Sequence, residues 1–131
     1  MVRKITAVRA YRPELRRLPT MRTRELVEIV VQRTSLSEGE VHHVVYSLRD
    51  VLLMAHRAGQ AVKVEGLGTF TPTIRRGRLD IVFRPDVYLR KELNHPDKLY
   101  AEILNKENLG RSADELVQQW NQEHPDDPVE E

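Results

Sequence analysis

The stretch Val62–Arg84, V-K-V-E-G-L-G-T-F-T-P-T-I-R-R-G-R-L-D-I-V-F-R, decides how the chain folds. Val62 and Val64 alternate with Lys63 and Glu65; Phe70, Pro72 and Ile74 share one face, as do Leu79, Ile81 and Phe83. Apolar residues at every second position mark half-buried strands. Gly66 and Gly68 interrupt the alternation and predict a sharp bend or bulge where a Cβ is costly. Arg76-Gly77 separates the last two runs and predicts a tight hairpin, its glycine at a positive φ. The tip then gathers Arg75, Arg76 and Arg78 around one glycine. A small antiparallel sheet with a cationic end follows.

Before this stretch the pattern is helical. Leu26, Ile29 and Val30 recur at three- and four-residue spacing from Thr23 to about Arg33-Thr34. Ser37-Glu-Gly-Glu40 is a capping box. It opens a longer helix striped by Val41, Val44, Val45, Leu48, Val51, Leu52 and Ala55, with Gly59 as its stop after His56-Arg57. Tyr46, Leu53 and Met54 lie off that stripe. A helix apolar on more than one face needs more than one packing partner, which points to a dimer.

After the stretch, Pro85 ends Phe83-Arg84, and Val87, Leu89 and Leu93 line a short closing helix. Leu99, Ile103 and Leu104 form one amphipathic helical segment; Ser112-Ala-Asp-Glu115 caps a last helix striped by Leu116, Val117 and Trp120. The residues from His124 hold too little apolar surface to fold and are expected to be disordered. Ile5, Val8 and Tyr11, then Pro13 and Pro19, read either as an edge strand with an extended connector or as a disordered basic arm. The expected division is a basic extension over 1–22, a core domain over 23–94, a helical extension over 95–123 and an acidic tail over 124–131.

A chain of 131 residues with 40% hydrophobic content fits one domain plus extensions. The absence of cysteine excludes disulfides, thiolate metal sites and thiol nucleophiles. No run suits a signal peptide or a membrane span, so a cytoplasmic location is expected. The net charge of +1 conceals an asymmetry: residues 1–24 hold eight Lys/Arg against one Glu, and residues 94–131 hold three against ten Asp/Glu. Gly66-Leu-Gly68 leads into a strand rather than a helix, so it is no phosphate loop. Adjacent His42-His43 face two directions, and no nucleophile–base order stands out. No enzyme, metal or cofactor is expected. The arginines point elsewhere, because guanidinium forks grip phosphates and enter narrow minor grooves.

Two helices followed by this sheet and F-R-P-D-V-Y-L-R-K-E-L-N resemble the bacterial HU/IHF family of DNA-binding proteins from Thr23 to about Asn94. Gly66-Leu-Gly-Thr-Phe70 is similar to the family's G-F-G-T-F, and Thr23-Arg-Glu-Leu26 to the opening of its first helix. The resemblance implies an α+β fold, an intertwined homodimer with helices below a saddle-shaped sheet, and duplex DNA on the saddle. Family members carry a long β-arm tipped by an intercalating proline. Here four residues connect Ile74 to Leu79, no proline lies at the tip, and Val87 stands where a lysine is usual. The expected function is nucleoid-associated, architectural and non-enzymatic, with binding through phosphates and little sequence specificity. Arg75, Arg76, Arg78, Arg84, Arg90 and Lys91 are the expected contacts, with Arg9, Arg12, Arg16 and Arg17 as a flexible supplement. The alternative is a dimeric interaction module that has lost DNA binding.

Overall fold

The computed structural model describes residues 1–130. In chain order the elements are α1 (Lys4–Tyr11), β1 (Glu14–Leu15), α2 (Thr23–Arg33), α3 (Glu38–Arg57), β2 (Val62–Val64), β3 (Gly68–Arg75), β4 (Arg78–Pro85), α4 (Val87–Leu93), β5 (Ile103–Leu104) and α5 (Ala113–Glu123). Single 3-10 turns occupy Pro96–Lys98 and Lys106–Asn108. Two units result: Pro19–Lys98, and a second in which Met1–Leu18 joins the residues from Leu99 onward.

The first unit, Pro19–Lys98, mixes helices and sheet as its periodicities require. The capping box closes α3 in both directions: Ser37 Oγ accepts from the Glu40 N–H at 3.2 Å, and the Glu40 carboxylate accepts from the Ser37 N–H at 3.2 Å. That hydrogen bond from the Ser37 backbone holds the Glu40 carboxyl below the usual range. At the other end Gly59, with φ +76, stops the helix. Its N–H donates to His56 O at 3.0 Å, and the Gln60 N–H donates to Ala55 O at 2.9 Å. These two bonds satisfy carbonyls that the ending helix leaves without partners.

The sheet is antiparallel in the order β2-β3-β4. The Leu67 N–H donates to Val64 O at 3.0 Å across a turn whose third residue, Gly66, has φ +80. Gly68 is needed for a different reason. A Cβ there would sit 2.5 Å from Arg84 O and 2.6 Å from the Phe83 ring. Gly68→Ala is therefore expected to destabilise the unit by about 3 kcal/mol, through overpacking against a backbone that cannot yield. Urea denaturation checks this, as a midpoint shift at constant slope.

Packing within this unit is one-sided. Val27 of α2 and Val41 and Ala55 of α3 are its buried apolar side chains. Phe70 and Phe83, opposite one another in register, place their rings 4.7 Å apart. Val44, Leu48, Val51, Leu53 and Met54 of α3 remain exposed, as do Ile74, Leu79 and Ile81 of the sheet. The unit thus leaves uncovered much of the apolar surface that the sequence supplies.

The second unit departs from the sequence reading. Lys4–Tyr11 is a helix, not an edge strand or a free arm; Ala7 is buried, with Val8 and Tyr11 half-buried beside it. The strand in this region is the shorter Glu14–Leu15, which pairs with Ile103–Leu104 in a separate two-stranded sheet. Residues 99–104 consequently do not form the amphipathic helix expected of them. Ser112 does cap α5, its Oγ accepting from the Glu115 N–H at 3.2 Å. Residues 124–130 are held rather than disordered; Glu131 lies outside the described residues. Val129 is buried and bridges Val2, the Glu130 N–H donates to Val2 O at 2.9 Å, and the Trp120 indole N–H donates to Asp127 O at 2.8 Å. Backbone hydrogen bonds do there what apolar composition could not.

Tyr11 donates to the Glu123 carboxylate, and its ring meets Trp120 edge-on at 6.0 Å. The hydrogen bond to Glu123, with desolvation, pushes the Tyr11 phenol up to about 12 and holds the Glu123 carboxyl below its usual range. A raised phenol pKa adds stability below the ordinary tyrosine pKa of about 10, and that stability is lost as pH rises through about 12. The lowered carboxyl adds stability at neutral pH, lost as pH falls through its own folded value. In a 295 nm titration one tyrosine should ionise near pH 12, and Tyr11→Phe should remove that component. Its persistence in the variant would contradict the pairing.

Candidate nucleic-acid interface

Antiparallel register assigns the faces of the β3–β4 hairpin. Phe70 opposes Phe83, Pro72 opposes Ile81 and Ile74 opposes Leu79, which makes one face apolar. The other carries Thr69 opposite Arg84, Thr71 opposite Val82, Thr73 opposite Asp80, and Arg75 opposite Arg78. Directly opposed residues project to the same side. Arg76 and Gly77 form the two-residue turn at φ 51 and φ 74, the positive pair that a type I′ turn needs. A non-glycine residue in that region is uncommon, so Arg76 is held at the tip at some conformational cost.

The polar face is cationic at both ends. Arg75, Arg76 and Arg78 surround an open recess with Leu79 and Asp80, and Arg84 closes the far end of a shallow trough lined by Thr69, Thr71, Thr73 and Val82. Arg90 and Lys91 stand in the last turn of α4. That helix is anchored at its start: Asp86 Oδ1 accepts from the Tyr88 N–H at 2.8 Å, and the Asp86 N–H donates to Leu67 O at 3.0 Å. Among the described residues, none of Arg75, Arg76, Arg78, Arg84, Arg90 or Lys91 forms an ion pair.

The N-terminal arginines differ. Arg9 lies within α1; Arg12 pairs with Glu14 at 2.6 Å and Arg16 with Glu102 at 3.3 Å, while Arg17 is exposed. They belong to the folded second unit, not to a flexible arm. Carboxylates of the acidic C-terminal half, with Glu14, take up part of that positive charge. Sequence reading missed Thr69 and Thr71 of the polar face, although they alternate with Phe70 and Pro72 at the same period of two.

A family model described as an HU domain fused to a wHTH, Ig or glycine-rich motif matches residues 4–80. The chain belongs to this HU-domain family. The match takes in α1, both core helices and the hairpin as far as Asp80. Among solved structures, a point mutant of HU from Thermotoga maritima is similar at 20% identity and a TM-score of 0.49, covering 56% of this chain and 99% of that one. A search of curated proteins finds no match. No helix among the described residues is long and apolar enough to cross a membrane.

Proposed function

We propose that this HU-family chain is a non-enzymatic, architectural DNA-binding protein that acts as a homodimer on duplex DNA. The observation that carries the reading is the hairpin's tip and polar face, where Arg75, Arg76, Arg78 and Arg84 form no ion pair among the described residues. The unit that holds them has thirteen Lys/Arg against ten Asp/Glu, so these cations gain most from an external polyanion. Arginine binds phosphate oxygens through paired N–H donors, and each neutralised phosphate releases counterions. Affinity is therefore largely electrostatic and only weakly sequence-dependent. Arg90 and Lys91 extend the contact from α4. The uncovered apolar residues of α3 and the sheet support the homodimer, which would present two such faces.

Titration of the full chain against two unrelated duplexes of equal G·C content at rising salt tests the proposal. Similar affinities and a linear fall of log Kobs with log salt are expected. Absence of duplex binding at low salt would overturn it and leave a dimeric interaction module as the reading.

A further inference from the structure

Asp80 does not fit a face built only for phosphate. It alternates along β4 with Arg78, Val82 and Arg84 and stands opposite Thr73, so it shares the polar face with the arginines. Asp80 Oδ1 accepts from the Ile81 N–H at 2.8 Å, which fixes the carboxylate. The side chain is exposed and lines the same recess as Arg75, Arg76 and Arg78, yet it forms no ion pair among the described residues. An ionised carboxylate only accepts hydrogen bonds, and it repels phosphate. A useful partner must therefore be a donor on a base edge.

Base-edge donors are the amino groups of cytosine and adenine in the major groove and, alone in the minor groove, the 2-amino group of guanine. A·T pairs offer acceptors alone there, and A-tracts add a narrowed groove of enhanced negative potential. Both effects act in the same direction on a fixed carboxylate. Resting on the reading of this face as the duplex-binding surface, we propose that Asp80 gives the hairpin a base preference. Its carboxylate accepts from the guanine 2-amino group and disfavours A-tracts, while Arg75, Arg78 and Arg84 hold the flanking phosphates.

Replacing guanine with inosine removes that amino group and leaves the major-groove edge intact. With the full chain at low salt, wild type should bind an alternating G·C duplex about tenfold more tightly than its I·C counterpart, at the low end of what one good base contact discriminates. An A-tract duplex should bind no better than I·C. Asp80→Ala should tighten binding to the I·C and A-tract duplexes and bring the G·C to I·C ratio close to one. Equal wild-type affinity for G·C and I·C, or a ratio unchanged in Asp80→Ala, would overturn this inference alone. Failure of wild type to bind any of the three would overturn the interface reading with it.

Discussion

Leu48→Glu is expected to dissociate the proposed homodimer and to unfold much of the Pro19–Lys98 unit with it. Leu48 lies midway along α3, on the flank that also exposes Val44 and Val51. A domain of this size buries only about 60% of its unfolded surface and is marginal alone. Here that unit buries only Val27, Val41 and Ala55 as apolar side chains, a small core for its length. In a two-fold interface one substitution enters twice. Each unpaired carboxylate carried into an apolar contact costs on the order of 3 kcal/mol, so the pair outweighs the few kcal/mol by which such a unit is stable. Wild type should sediment at twice the 15.3 kDa chain mass, and Leu48→Glu as a monomer with reduced helicity. A well-folded wild-type monomer at micromolar concentration would contradict the dimer.

The central unit was legible because its signals are local. Ser37 and Glu40 are three residues apart and form the capping box that their spacing predicts. Gly59 ends α3, and Gly68 stands where a side chain has no room. Arg76-Gly77 makes the two-residue hairpin that fixes the register of Arg75 against Arg78. In the second unit the deciding partners are distant in sequence. The buried Asn108 donates to Tyr11 O at 2.7 Å across 97 positions, and Val2 bridges Val129. No local pattern contains such a pairing. The helix over Lys4–Tyr11 left a trace, since Ala7, Val8 and Tyr11 sit at helical spacing, but arginines around them favour a free arm on composition alone. For the candidate site, the cations were legible as a cluster. Which of them stay unpaired was not, because that depends on carboxylates, such as Glu102 opposite Arg16, supplied from far along the chain.

The second large effect concerns DNA. Replacing Arg75, Arg76 and Arg78 with alanine should weaken duplex binding by about 100-fold at low salt, because a homodimer loses six guanidinium groups and each phosphate contact contributes to the salt-dependent affinity. All three side chains are exposed, so stability should change by no more than about 0.5 kcal/mol. The loss should be alike on unrelated sequences, because phosphates carry no base identity.

The most direct measurement is the slope of log Kobs against log salt for wild type and for this triple variant on the same duplex. The variant's slope should be shallower by about 0.9 for every phosphate contact removed. Equal slopes and equal affinities would contradict the assignment of the hairpin as the DNA-binding face.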